Sequence, residues 1–148
     1  MLRRLLRERR VLTLGVVIDA HPVLGLLPFA MTPDGSAALV HASKLARHSR
    51  GLVAGAAAAV LVHDPDSPGA DVLQVARLTL DVEVQPLARE TPAFDEGRAA
   101  YLARFPEAEV TFGLGDFQLF ALRVQSGRLV AGFGRARDVS AADLLGEE

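Results

Sequence analysis

The sequence predicts a mainly β (α+β) fold, a six- to seven-stranded antiparallel barrel with short flanking helices. Three observations carry this. Apolar runs of strand length are separated by tight turns at Asp19-Ala20-His21-Pro22 and Thr32-Pro33-Asp34-Gly35. Leu78-Thr79-Leu80-Asp81-Val82-Glu83-Val84 alternates strictly, so one face is buried and the other wet. Helical patterns are few, and they never alternate with strands as parallel crossover units require.

Taken in order, Met1 to Arg10 places Leu2, Leu5 and Leu6 on one side of a short amphipathic helix with arginines around the rest, a lid for the domain. Val11 to Ile18 is rich in β-branched residues and reads as a buried strand leading into a hairpin. Val23 to Met31 forms the second strand, and Pro28 within it implies an edge or a bulge, because proline cannot donate to a ladder. Ala37 to Ala42 is the third. Short turns make these three antiparallel. Gly55 stops the next segment, and Ala57 to His63 is a fourth strand ending in the loop Asp64-Pro65-Asp66-Ser67-Pro68-Gly69. The alternating strand lies within Val72 to Val84. Thr91 to Phe105 is a helix with Asp95 and Glu96 early and Pro106 as its stop. Phe117 to Val124 and Leu129 to Phe133 flank a predicted hairpin turn at Gln125-Ser126-Gly127-Arg128, and Ser140 to Leu145 makes one capped turn.

A chain of 148 residues, half of them apolar, is long enough for one sizeable core and short for two, so residues 1–148 are expected to form a single domain. A net charge of −2 argues against broad nucleic-acid binding, which shows as a basic domain. The absence of Cys excludes disulfides, thiolate metal sites and a Cys nucleophile, and it fits a cytoplasmic location. No apolar run reaches the roughly 20 residues that span a bilayer, so no membrane partner is expected. No two of the His residues have metal-ligand spacing.

Chemistry concentrates in Ser43-Lys44-Leu45-Ala46-Arg47-His48-Ser49-Arg50-Gly51-Leu52. If Ser43 caps a helix starting at Lys44, then Lys44, Arg47 and His48 fall at i, i+3 and i+4 on one face, beside free backbone N–H groups. Such a face suits a phosphate. No Asp or Glu occurs between His41 and Val62, so nothing in the local sequence neutralises the cluster. The same residues are equally compatible with a solvated basic helix face in which His48 packs against Leu45 and Leu52. Asp116 and Arg135 are further candidates to face a cleft, although Asp116 after Gly115 also suits a turn and Arg135 a surface charge.

The order and spacing of several segments resemble the pyridoxamine-phosphate-oxidase-like FMN-binding split barrel, and within it the haem-utilisation-type branch. These are Arg3-Arg4-Leu5-Leu6 leading into Val11-Leu12-Thr13-Leu14; Leu27-Pro28-Phe29-Ala30 before Pro33-Asp34-Gly35; the Ser43 to Leu52 stretch; Arg77-Leu78-Thr79-Leu80; Tyr101 to Ala108; Gly115-Asp116-Phe117; and Gly132-Phe133-Gly134-Arg135-Ala136. The resemblance implies a split β-barrel and a homodimer with FMN in clefts between subunits. The strand Leu26, Leu27, Pro28 and Phe29 would run beside the flavin ring, and Ser43, Arg47 and His48 would hold its phosphate; Lys44, from its place on the same face, and Arg135 complete the candidate cofactor-binding residues. Where the oxidases carry an Arg-Lys pair, this chain has Arg47-His48, which makes one anchor titratable. Haem-degrading relatives tend to carry a haem-contacting His in a longer C-terminal portion, and here the last His is His63.

Three functional readings follow. The first is an FMN-dependent oxidoreductase acting on a small-molecule substrate or electron donor, with the flavin carrying the chemistry and the protein supplying position and electrostatics. The second is haem binding or degradation in the same barrel. The third is a non-catalytic dimeric ligand-binding module.

Overall fold

The computed structural model describes residues 1–132 and 134–145, and every structural statement below concerns these. Helix α1 (Leu2–Glu8) precedes strands β1 (Val11–Ile18), β2 (His21–Pro28), β3 (Ala30–Met31) and β4 (Ala37–Ser43). A 3₁₀ turn at Arg47–Gly51 leads to β5 (Ala57–His63), a second at Val72–Gln74 to β6 (Arg77–Leu87), and then come α2 (Pro92–Arg104) and α3 (Glu109–Phe112). The chain continues through β7 (Phe117–Val130), β8 (Ala136–Ser140) and α4 (Ala141–Leu144). All pairings are antiparallel, in the order β2-β1-β5-β6-β7-β4-β3, with β8 beside β7. Seven strands of ordinary length and the two-residue β3 make one curled sheet, and β2 returns into contact with β4 without pairing to it. That is a split barrel, as the sequence led one to expect.

The first hairpin turns on Asp19 and Ala20, both at positive φ (50° and 65°), the mirror-image turn whose twist matches that of the strands it joins. The expected single strand from Val23 to Met31 is two strands. After Pro28 the chain leaves β1, buries Phe29, and pairs Ala30 and Met31 with Leu39 and Ala38 of β4. Pro28 therefore ends an edge strand, where its missing N–H costs no ladder bond.

The predicted hairpin at Gln125 to Arg128 is absent, and β7 runs straight through it. Asp81 pairs with Ser126 and Val82 with Val124, so Gln125 is the extra residue of a bulge. Gly127 is glycine for closeness rather than for a turn: a side chain there would lie 2.7 Å from Leu80 Cδ2. β6 starts at Arg77 because residues 72–74 form a 3₁₀ turn whose N-cap Asp71 accepts from Leu73 N at 2.9 Å. Phe133, which ended a predicted strand, lies outside the described residues.

Two cores share the sheet. Inside the barrel, Leu12, Leu14, Val60, Val62, Leu78, Leu80, Phe120 and Leu122 pack together under a lid of Leu2, Leu5 and Leu6 from α1. On the opposite face of β4 and β7, Leu39, Leu119 and Ala121 meet Phe94, Tyr101, Phe105 and Phe112 of the helical layer. β4 is thus covered on both faces, which is why its sequence is continuously apolar rather than alternating. Arg104 ties the layers together. Its guanidinium donates to the carbonyls of Leu6 (3.2 Å), Arg7 (3.0 Å), Arg9 and Phe29 (3.0 Å), and it lies 4.9 Å from the centroid of the Phe29 ring. Three of those carbonyls are at the end of α1, where a helix leaves acceptors unpaired and favours a cation.

Candidate functional site

The Ser43 to Leu52 stretch is built differently from a capped α-helix. Lys44 N donates to Asp116 O at 2.6 Å, extending the β4–β7 pairing by one residue, and no helix begins at Lys44. The chain turns over residues 44–46, with Ala46 extended (φ −71°, ψ 140°), and only then makes the 3₁₀ turn Arg47–Gly51. Ser43 still serves the turn: its Oγ accepts from Leu45 N at 3.1 Å, and its carbonyl accepts from Ser49 Oγ at 2.5 Å.

The proposed basic face therefore comes apart. The side chains of Lys44 and Arg47 are exposed and, among the described residues, make no hydrogen bond or ion pair. His48 turns inward, its ring lying flush against the backbone of Gly25 in β2; a side chain at Gly25 would come within 2.7 Å of His48 Cγ and closer still to Nδ1. His48 Nε2 is buried without a hydrogen-bond partner among the described residues, and burial holds the imidazole pKa below its ordinary value. Acids absent from the local sequence arrive from elsewhere: Asp116 Oδ2 accepts from Ser43 Oγ at 3.3 Å, and Asp19 Oδ2 from Arg50 at 3.3 Å.

The other predicted site residues do not converge within one chain. Leu26 and Pro28 point outward from the sheet, Leu27 points into the barrel core, and Phe29 is fully buried beneath Arg104. Arg135 is exposed beyond the far end of β7, a strand of 14 residues and about 45 Å of extended chain from the Ser43 end.

His41 lies in the helical-layer core. It is stacked on Phe112 (centroids 3.8 Å apart, 10° between planes), edge-on to Tyr101, and its Nδ1 is 3.3 Å from Thr111 Oγ1. Burial first, then the nearby Arg89 cation, push its pKa down to about 4, so the ring is neutral at pH 7.

A cleft that sequence reasoning missed lies where α1 ends, between β1, β2 and β5. It has a volume of about 360 Å³ and walls that include Arg9, Arg10, Val11, Leu26, Leu61 and His63. Its signal in the sequence was faint: a pair of arginines before one strand and a His closing another, brought side by side only by the Thr13↔Leu61 register. It opens onto the outward face of the sheet, where Val11, Val17, Leu24 and Leu26 are 47%, 64%, 73% and 67% exposed, an unusually apolar surface for free solvent.

This half-closed antiparallel barrel, with helices over one face and an apolar outer face on β1 and β2, has the fold of the pyridoxamine-phosphate-oxidase-like split barrels. A protein from Clostridium acetobutylicum described as belonging to the pyridoxinephosphate oxidase family shares the fold (TM-score 0.67, 96% of this chain and 93% of that one) at 10% identity. Within that class the chain is most like proteins of the haem-utilisation type among the relatives compared. It is 29% identical to the heme oxygenase HutZ of Vibrio cholerae over 143 residues, 94% of this chain and 79% of that protein. The crystal structure of HutZ, described as a heme storage protein, superposes with a TM-score of 0.74 at 25% identity over 84% of this chain and 87% of that one. A heme-binding protein from Mycobacterium smegmatis gives a TM-score of 0.82 at 26% identity over 95% of this chain, which spans only 57% of that longer chain. No family model matches the sequence. No helix among the described residues is long and apolar enough to cross a membrane.

Proposed function

We propose that this chain is a haem-binding protein of the haem-utilisation type, with haem as its ligand and haem degradation as the activity to assay. The observation that carries the reading is the 29% identity to a heme oxygenase along 94% of the chain, whereas neighbours described as a pyridoxinephosphate oxidase relative and a FAD-binding protein share only 10% and 14%. The residues fit such a group. Val11, Leu26 and Leu61 offer apolar walls to a planar macrocycle, and Arg9 and Arg10 offer cations to its carboxylates. Bound haem would supply a redox-active iron; the chain itself supplies a dry wall, charge and orientation. In this reading a second copy covers the exposed β1–β2 face, as a homodimer.

FMN remains the second reading, favoured by one observation: the side chains of Lys44 and Arg47 stand exposed beside the Ser43 turn with no partner among the described residues. Titration of the purified protein with hemin and, separately, with FMN tests both. A stoichiometric, shifted Soret band with weak or absent FMN binding is the expected result. Tight FMN binding with hemin merely adsorbed in excess would reverse the order of the readings.

A further inference from the structure

We infer that His63 is the residue of this chain that ligates haem iron, an assignment that rests on the haem reading above. Two of the four His residues are excluded by position: His41 is stacked within the helical-layer core, and His48 is pressed on Gly25 with Nε2 buried. His63, in contrast, is exposed at the end of β5 and lines the cleft. Its Nδ1 lies 2.6 Å from the carbonyl oxygen of Asp64, an atom that can only accept, so Nδ1 carries the proton and donates it. In the tautomer this bond selects, the lone pair lies on Nε2. A backbone carbonyl fixing one nitrogen while the other is offered outward is the arrangement that orients metal-binding imidazoles.

The surroundings suit an amphipathic iron porphyrin rather than a bare ion. β5 alternates, so His63 shares its outward face with Leu61, which pairs with Thr13 of β1, itself paired with Leu26 of β2. These supply apolar contact beside the imidazole. Arg9 meets Asp64 and Glu8 only at 3.7 and 3.8 Å. Arg10, packed over the Phe105 ring at 5.3 Å, reaches Glu107 only at 3.9 Å, so the terminal nitrogens rather than the buried Arg9 Nε are the donors available. Both guanidiniums thus keep donors for a carboxylate. Glu8 lines the cleft and Glu107 stands beside Arg10, so a carboxylate bound here relies on the two guanidiniums to offset both.

The test is a hemin titration of the full chain and of His63→Ala, followed by absorption and electron paramagnetic resonance, with thermal midpoints measured alongside. His63 is exposed, so the variant should keep its midpoint. Its ferric haem spectrum should lose the nitrogen-ligand signature, its hemin affinity should fall tenfold or more, and added imidazole should restore the wild-type spectrum. His21→Ala, on the opposite end of the hairpin, should behave as wild type. If wild type binds hemin and His63→Ala gives the same spectrum and affinity, the assignment is overturned while the haem reading stands. If wild type itself takes up no hemin, the haem reading falls and this assignment with it.

Discussion

Gly25→Ala tests whether the inward His48 is real. In an open strand position the change would stabilise by about 0.5–1 kcal/mol, because Ala loses less backbone entropy on folding than Gly. Here the new methyl would sit 2.7 Å from His48 Cγ, 3.0 Å from Cε1 and nearer to Nδ1. Cγ is the root of the ring, so no rotation of a flexible tip relieves the clash; either the ring leaves or the strand shifts. Overpacking of this kind costs about 1–3 kcal/mol, which outweighs the entropic gain and leaves a net loss on the order of 1–2 kcal/mol. For a chain of this size that is a fall of roughly 2–8 °C in Tm. Urea unfolding with unchanged m-value is the assay. The decisive measurement is the cycle: in a His48→Ala background the same Gly25→Ala change should become neutral or stabilising, giving a coupling of about 1–3 kcal/mol. A stabilised Gly25→Ala in the wild-type background would refute the packing of His48 on β2 and return its imidazole to the cradle face.

Three further outcomes are expected. Stability should be full above pH 6.5 and decline from there toward pH 4, at up to about 1.4 kcal/mol per pH unit, because protonation of His41 is disfavoured in the folded core relative to the unfolded chain. His48 acts in the same direction, so His41→Phe should flatten most but not all of that slope in urea titrations between pH 4.5 and 6.5. Arg104→Ala should cost at least about 2 kcal/mol and free α1 to early hydrogen exchange, since four carbonyls lose a charged donor at once, while Arg104→Lys should recover part of it. In sedimentation equilibrium the protein should be a dimer at micromolar concentration and Leu24→Asp a monomer; a monomeric wild type would leave the 73% exposed Leu24 without the proposed partner.

The local sequence was enough for the elements whose physics is local. The Leu78 to Val84 alternation became β6, Thr91 capped α2 by accepting from Phe94 N at 3.2 Å, and Ser140 and Asp143 formed a reciprocal cap on α4. Leu2, Leu5 and Leu6, three and one residues apart, could only bury one side of a helix, and they did. Tertiary structure decided what depends on partners far along the chain. Gln125-Ser126-Gly127-Arg128 has the composition of a turn, yet its backbone is claimed by β6, and its glycine answers to Leu80 rather than to chain reversal. Lys44, Arg47 and His48 have helical spacing, but Lys44 is held in sheet-like pairing with Asp116, 72 residues on, and Ala46 is extended, so no helix runs through all three. The charge of the stretch changed for the same reason, because Asp19 and Asp116 are local only in space. The cleft with His63 escaped sequence reasoning because its walls come from three strands and a helix end, and strand register, which no single segment encodes, is what sets them side by side.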